Sequence, residues 1–229
     1  MIYLVGDTHA TLDISKLSEL QKIATEKDFI IVLGDFGLPG FSKDRDRFLM
    51  EHYGRFRCRI LFIDGNHEHF DKLANYTVTH WNGGRVQFIT KNVIHLMRGE
   101  IYVIDGIKFL TCGGAMSIDK YARTEHINWF KEEELTWEEF NYMMDNLNKH
   151  GNKVDFILTH TPPQNVVNML FPPYKVIRDN TAVALDELEN TVEYKKWVSG
   201  HLHMDKILFD NKHIVLYNNI MTIEELEKI

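Results

Sequence analysis

The stretch that decides the fold is Gly65-Asn66-His67-Glu68, which follows the apolar run Ile60-Leu61-Phe62-Ile63 after Asp64. A second stretch of the same kind, Gly200-His201-Leu202-His203, follows Trp197-Val198-Ser199 far downstream. In both places a short strand-like run ends in a glycine and then in side chains that can bind metal ions. This arrangement predicts that the chemistry of the chain lies at the ends of its strands.

Three other apolar runs also end next to side chains that can bind metal ions. They lead into Gly6-Asp7-Thr8-His9, into Gly34-Asp35 and into Thr159-His160. Open α/β sheets bind their ligands at the carboxyl ends of the strands. We therefore expect all five strand ends to converge on one site.

The polar residues at these ends are carboxylates, an amide and imidazoles: Asp7, His9, Asp35, Asn66, His67, His160, His201 and His203. Such donors suit borderline divalent ions (Zn, Mn, Fe, Co or Ni), and the thiolates of a structural zinc site are missing. Two four-coordinate ions need about eight ligand positions, with one carboxylate often serving both. Seven of these side chains with a bridging water meet that number, whereas a single zinc would leave several of them over.

Composition sets wider limits. The length of 229 residues suits one large domain or two small ones, and we expect a single domain over residues 1–229. The net charge of -7 gives no general attraction to nucleic acid or to anionic membranes, so nucleic acid is expected only as a substrate.

Two cysteines are too few for a disulfide framework, no stretch is long enough to span a membrane, and the apolar opening is too short for a signal peptide. The expected location is the cytoplasm, and the oligomeric state is left open.

The order of elements changes along the chain. Residues 1–65 predict β-α-β-α-β, with parallel strands and with a first helix over residues 13–25 capped by Asp13. Residues 86–110 predict four short strands, with a hairpin at Asp105-Gly106, that would form a second, more antiparallel sheet. Further on, Thr136 with Glu139 predicts a capped helix. A hairpin within residues 207–217 and a short helix from Thr222 are expected to close the chain.

The ordered set Asp-X-His, Gly-Asp, Gly-Asn-His-Glu, His and Gly-His-X-His resembles the calcineurin-like metallophosphoesterase superfamily from Asp7 to His203. The resemblance implies an α/β fold, a two-sheet β-sandwich of mixed sheets flanked by helices, with a dinuclear centre at one edge. It implies two divalent metal ions, which we expect to be Mn, with Fe, Zn, Ni or Co as alternatives. One ion would be held by Asp7, His9, Asp35 and His203, and the other by Asp35, Asn66, His160 and His201, with Asp35 bridging.

The chain also departs from the pattern of this superfamily. Ala10 stands where many relatives carry glycine, and Glu68 replaces the commoner aspartate. Gly34-Asp35-Phe36-Gly37 lacks the nearby arginine that marks protein serine/threonine phosphatases, which weakens that assignment without excluding it.

The rate acceleration that phosphate ester hydrolysis requires indicates a mechanism. Hydrolysis of a phosphate ester demands up to ~10²¹-fold acceleration, of which one acid–base histidine supplies only ~10²–10⁴-fold. We therefore expect a metal-bridging hydroxide as the nucleophile. The resemblance places His67 beside the substrate, where it would protonate the leaving oxygen or hold a phosphoryl oxygen, oriented by Asp64 or Glu68. Arg123 and Lys120 are the candidate phosphate-binding cations.

The substrate class stays open among small phosphomonoesters or nucleotides, phosphodiesters including nucleic acid, and phosphoproteins. A protein of another class, a metal-binding interaction scaffold without catalysis, is disfavoured because the ligand set is complete. Assays of aryl monoesters, aryl diesters and cyclic nucleotides with added Mn would separate these alternatives.

Overall fold

The structure of the chain, a computed structural model, describes residues 1–208 and 210–229. Within them, thirteen strands form two sheets, and seven α-helices accompany the sheets. The strands are β1 Ile2–Val5, β2 Phe29–Leu33, β3 Arg59–Ile63, β4 Val78–Trp81, β5 Gly84–Phe88, β6 Val93–Leu96, β7 Glu100–Ile104, β8 Ile107–Cys112, β9 Phe156–Thr159, β10 Lys196–Ser199, β11 Lys206–Ile207, β12 His213–Val215 and β13 Ile220–Thr222. The α-helices are α1 Ser18–Ile23, α2 Lys43–Tyr53, α3 Phe70–Leu73, α4 Trp137–Lys149, α5 Gln164–Leu170, α6 Asn180–Glu189 and α7 Ile223–Leu226.

Both sheets are mixed. The first has the order β13-β1-β2-β3-β6-β5-β4, with β1, β2, β3 and β6 parallel and the other pairings antiparallel. The second has the order β11-β12-β10-β9-β8-β7, with β8, β9, β10 and β12 parallel. The predicted fold class, an α/β sandwich of two mixed sheets flanked by helices, is confirmed.

The core explains why the central strands are apolar at every position. In β2, Phe29, Ile31 and Leu33 belong to a cluster that also contains Phe156 and Leu158 of β9 and therefore fills the space between the sheets. The alternate residues of β2 pack on the other side, where the cluster includes side chains of α1 and α2. Because successive side chains of a strand point to opposite faces, a strand covered on both faces must be apolar throughout.

One sheet assignment made from the sequence is wrong. The sequence predicts the runs over residues 86–89 and 93–96 in a second, more antiparallel sheet, but β5 and β6 extend the first sheet, and the second sheet begins at β7. The reason is the parallel pairing of β6 with β3, which aligns Val93 with Ile60. The hairpin at Asp105-Gly106 is confirmed between β7 and β8.

Other local predictions have mixed outcomes. Thr136 caps α4 as expected, since its hydroxyl accepts a hydrogen bond from Glu139 N at 3.2 Å. The first helix is shorter than predicted: a 3-10 helix over Ile14–Leu17 precedes α1, and Asp13 makes no capping bond. β11 and β12 pair as a hairpin, although Phe209 lies outside the described residues, and α7 follows Thr222 as predicted. The strands β4 and β13 were not predicted.

The topology brings the predicted functional residues to one edge. The adjacent parallel strands β1, β2 and β3 all end there, and so do β9 and β10 of the other sheet. A hydrogen bond joins the two groups of strand ends, because His201 N donates to Asp7 Oδ1 across the sheets. Within the second sheet, Gly200 N donates to the carbonyl of His160. No helix in the described ranges has both the length and the apolar character that crossing a membrane requires.

The inter-sheet core gives a stability prediction. Leu158 of β9 is fully buried between the sheets, so Leu158→Ala should lower the free energy of unfolding by about 2–5 kcal/mol through lost burial and a residual cavity. Leu12 is 82% exposed, and the matched control Leu12→Ala should change it by less than about 0.5 kcal/mol. Urea unfolding followed by circular dichroism measures both, and equal effects of the two substitutions would contradict this core.

Candidate metal centre

The first group of predicted ligands is already assembled. Asp7, His9, Asp35 and His203 each offer a ligand atom, and these four atoms all lie within 4.8 Å of one another. They come from the ends of β1, β2 and β10, so the group is built by both sheets. Its two carboxylates and two imidazoles match the donor preferences of borderline divalent ions.

One carboxylate oxygen of Asp7 is buried without a hydrogen-bond donor from the described part of the chain. Its Oδ1 accepts the backbone N–H of His201 at 3.0 Å, whereas its buried Oδ2 has no hydrogen-bond partner among the described residues. His203 Nε2 lies 3.1 Å from that oxygen without the alignment of a hydrogen bond. A buried oxygen without a donor is costly, and a positive ion between these two atoms would remove the cost.

A second group of acceptor atoms lies around His160. Its Nδ1 lies 2.8 Å from the carbonyl oxygen of Leu33 and donates to it, so its Nε2 is the nitrogen left for other partners. This Nε2 lies 3.0 Å from Asn66 Oδ1 and 3.4 Å from Asp35 Oδ1. Once a cation displaces the proton of His160 Nε2, this imidazole nitrogen, the amide oxygen and the carboxylate oxygen are suited to share it.

His201 stands beside this second group. Its ring lies 4.9 Å from the ring of His160, centroid to centroid, in an edge-to-face arrangement. Burial, with the charge of His160, lowers the pKa of His201 to about 4. The imidazole is therefore neutral near pH 7, which is the form that binds metal.

Asp35 joins the two groups. Its Oδ2 lies 3.4 Å from His9 Nε2 in the first group, and its Oδ1 lies 3.4 Å from His160 Nε2 in the second. The backbone N–H of His67 also donates to Oδ1, at 2.9 Å. One carboxylate thus presents one oxygen to each group, which is the arrangement that a bridging ligand needs.

The charges in the site are strongly coupled. Burial alone would raise the pKa of Asp35, but the neighbouring His160 and His9 hold it well below its usual range. Conversely, burial would lower the pKa of His160 and of His9, yet Asp35 with Asp7 raises these values to about 10 and about 9. The aspartates thus create a strongly negative potential at the strand ends, which attracts cations.

Steric constraints require glycine at positions that precede the predicted ligands. A Cβ on Gly65 would collide with the carboxylate and the backbone of Asp35, and one on Gly200 would collide with Asp7 Oδ1. The strand ends can therefore approach one another only without side chains at these positions. The predicted ligands His9, Asp35, His201 and His203 themselves have positive φ angles, a strained conformation that is frequent at functional sites.

His67 lies at the opening of the site. Its Nδ1 faces Arg123 Nη1 at 3.5 Å and, because guanidinium can only donate, this nitrogen acts as the acceptor. Burial and the charge of Arg123 lower the pKa of His67. The imidazole is therefore neutral at pH 7, with its proton on Nε2.

Among the described residues, neither Asp64 nor Glu68 makes the predicted orienting contact to His67. Asp64 instead accepts two hydrogen bonds from Arg98, at 2.6 and 2.8 Å, and lies 3.1 Å from His95 Nε2. Burial would raise the pKa of Asp64, but Arg98 and His95 keep it below its usual range. The ion pair is buried behind the site, where it fixes the loop after β3.

Glu68 does not orient His67 either. Its fully buried carboxylate accepts hydrogen bonds from the backbone N–H groups of Gly37 and Gly65, so it joins the loops after β2 and β3. Burial and the charge of Asp35 raise the pKa of Glu68 to about 8. Among the described residues the orienting contact to His67 comes from Arg123, which the sequence suggested only as a phosphate ligand.

The second predicted phosphate ligand is also corrected. Lys120 Nζ pairs with Glu134 Oε1 at 2.7 Å, and Lys120 does not line the cavity at the site. Arg123 does line this cavity and forms an ion pair with Asp119 at 2.8 Å. Of the two cations, only Arg123 stays a candidate.

The residues that support the ligands were missed by the sequence analysis. Asp13 Oδ2 lies 2.9 Å from His9 Nδ1 and so directs His9 Nε2 toward Asp35. On the other side, Asn66 Nδ2 donates to Ser117 Oγ at 3.1 Å, which turns its oxygen toward His160. The spacing of four residues between His9 and Asp13 could have indicated their contact from the sequence. No sequence pattern indicates the contact between Asn66 and Ser117.

The contact between Asp13 and His9 gives a prediction for metal affinity. Asp13→Asn should weaken Mn²⁺ binding by about 10–100-fold, because His9 loses the carboxylate that orients its ring and raises its basicity. Asp44, whose side chain is 90% exposed, provides the matched control Asp44→Asn, which should leave binding unchanged. Isothermal titration calorimetry with Mn²⁺ measures both, and unaltered affinity in Asp13→Asn would remove this role.

Comparison with known proteins identifies the family of this chain. The family model of the calcineurin-like phosphoesterases matches residues 1–205, a range that contains every predicted ligand. No curated protein sequence matches the chain. A solved phosphopantetheinyl hydrolase from Mycobacterium tuberculosis is similar at 15% identity and a TM-score of 0.49, over 94% of this chain and 87% of that one. The family match covers most of the chain, and the chain therefore belongs to the calcineurin-like phosphoesterase family, whose members are metal-dependent hydrolases of phosphate esters.

Proposed function

We propose that this chain hydrolyses phosphate esters at a dinuclear metal centre. The observation that carries the proposal is the position of Asp35, which presents one carboxylate oxygen to each of two groups of ligand atoms. We assign one ion to the first group with His203 and Asp7, and the other to the group around His160 with Asn66 and His201. Residues 1–229 are proposed to act as one metallophosphoesterase domain.

The residues present fit such ions, as the unpartnered oxygen of Asp7 and the acceptors around His160 indicate. When bound, two divalent ions would supply a nucleophile at neutral pH and would neutralise charge on the phosphoryl oxygens. Mn²⁺ is our first choice, because the donor set combines carboxylate, amide oxygen and imidazole without thiolate.

His67 is assigned to the substrate. Because Arg123 occupies its Nδ1, its Nε2–H is the group free to donate to the reacting phosphate ester. Donation to the leaving oxygen would assist departure of the alcohol, and donation to a phosphoryl oxygen would stabilise its growing charge. As a neutral imidazole, His67 would donate a hydrogen bond in either role and keep its proton on Nε2.

Arg123 is assigned two roles. It holds the tautomer of His67, and its guanidinium borders the cavity where a phosphate would enter. Its ion pair with Asp119 holds the side chain in place, so little rotational freedom is lost when an anion binds. Monoester, diester and phosphoprotein substrates all stay compatible with this arrangement.

Turnover of a substrate panel tests the function. Protein loaded with Mn²⁺ should hydrolyse an aryl phosphomonoester, an aryl phosphodiester or a cyclic nucleotide, and the preferred compound identifies the class of ester. Asp35→Asn should lose the activity, because it removes charge from the oxygens shared by both groups. Absence of turnover on every compound with Mn, Fe, Zn, Ni and Co would contradict the proposal.

His67→Ala gives a separate prediction. It should lower kcat by about 10²–10⁴-fold while leaving Mn²⁺ stoichiometry and affinity unchanged, since the side chain serves the substrate and not the metals. The control His80→Ala changes an exposed histidine on β4 and should retain full activity. Steady-state kinetics with metal analysis separates these effects, and loss of metal in His67→Ala would instead make His67 a ligand.

A further inference from the structure

The metal centre occupies one end of a larger cavity. The cavity measures about 750 Å³, and its lining includes Asp35, Asn66, His67, His201 and His203. Cavities of roughly 300–1,000 Å³ are typical of sites for organic ligands, and a phosphate group alone fills only a small part of one. The remaining space must accommodate the organic part of the substrate.

The cavity lining also has an apolar part, beside polar residues such as Asp119 and Gln164. The side chains of the apolar part come from the loop after β8, from α5 and from the segment after α5: Met116, Ile118, Val167, Phe171, Tyr174 and Ile177. We call these six residues the apolar wall. Tyr174 is 84% exposed, Ile118 70% and Ile177 48%, so much of the wall is open to solvent. An exposed apolar surface that adjoins a polar site commonly binds a ligand.

Buried polar contacts hold the wall together. Asp179 Oδ2 accepts the backbone N–H of Met116 at 3.0 Å, and Gln164 Oε1 accepts that of Asp179 at 3.1 Å. Gln164 Nε2 also donates to the carbonyl of Ile177 at 3.4 Å. The loop after β8 and the segment after α5 are therefore connected, and the wall is a built surface rather than a set of unrelated exposed side chains.

The charged groups of the cavity lie beside this wall. Arg123 is held next to His67, and the exposed Lys175 follows Tyr174 in the wall segment. The carboxylate of Asp179 is already engaged by Met116 N and Thr181 N, so it offers little to a hydroxyl-rich ligand. The wall itself therefore offers its contacts mainly to a flat apolar group.

We infer that the substrates of this site are phosphate esters carrying an aromatic group, which packs against the apolar wall while the phosphate lies at the metal centre. The inference rests on the proposed function. Tyr174 supplies a ring face for stacking, and Phe171 lies three residues before it in the same wall. Aromatic rings lose little conformational entropy on binding, which makes them efficient contacts for such a group.

A pair of esters with leaving alcohols of similar acidity tests this preference. Benzyl and ethyl phosphates, or the corresponding methyl diesters if the enzyme prefers diesters, differ in apolar surface while their chemistry is nearly matched. The Mn²⁺-loaded protein should prefer the benzyl ester by about tenfold or more in kcat/KM, mainly through KM. Equal kcat/KM for the two esters would overturn the inference.

Substitutions locate the preference in the wall. Tyr174→Ala should lower kcat/KM for the benzyl ester by roughly five- to 100-fold, as loss of one stacking contact does, and should leave the ethyl ester unchanged. Tyr174→Phe should restore the preference. Tyr121, 92% exposed and outside the cavity, provides the control Tyr121→Ala, which should affect neither ester. An equal loss for both esters in Tyr174→Ala would assign Tyr174 a merely structural role.

Binding measurements separate this inference from the proposed function. Calorimetry of benzylphosphonate and ethylphosphonate on the Mn²⁺-loaded protein needs no turnover. In one outcome, benzylphosphonate binds more tightly than ethylphosphonate, Tyr174→Ala loses this difference, and no ester is hydrolysed. That outcome would support binding of an aromatic group at the apolar wall and would contradict the catalytic proposal. Hydrolysis with equal affinity for the two phosphonates would support the catalytic proposal and overturn the inference that the apolar wall binds an aromatic group.

Discussion

The structure depends on one buried carboxylate at the meeting edge of two sheets. Asp35 faces His9 from the first sheet with one oxygen and His160 from the second sheet with the other. Burying an ionised aspartate costs several kcal/mol unless opposite charge compensates it. The histidines of both sheets supply part of that compensation, and the proposed metal ions would supply the rest.

The need to bring compensating charges around Asp35 explains several features of the strand ends together. The glycines that precede the ligands let the strand ends approach, and strained φ angles aim the side chains inward. Asp13 and Ser117 then fix the orientation of His9 and Asn66 from opposite sides. In the proposed centre, His9 and Asn66 are therefore held by neighbours outside the donor set.

Much of this organisation was readable from the sequence. The strands β1, β2 and β3 could be predicted because apolar runs covered on both faces have a distinctive pattern, and each ended in a glycine and a metal-binding residue. The placement of β5 and β6 could not, since short apolar strands do not reveal which partner they pair with. Likewise, the pairing of Lys120 with Glu134 and of Asp64 with Arg98 joins residues that no local spacing connects. Side chains near the site in sequence were therefore easily mistaken for participants in its chemistry.

The most direct measurement is an anomalous difference map from crystals of the protein grown with Mn²⁺. The proposed dinuclear centre predicts two peaks, one on each side of the Asp35 carboxylate, the first beside His9 and His203 and the second beside Asn66 and His160. A single peak, or peaks that leave Asp35 without a metal contact, would contradict the shared carboxylate on which the proposed function depends.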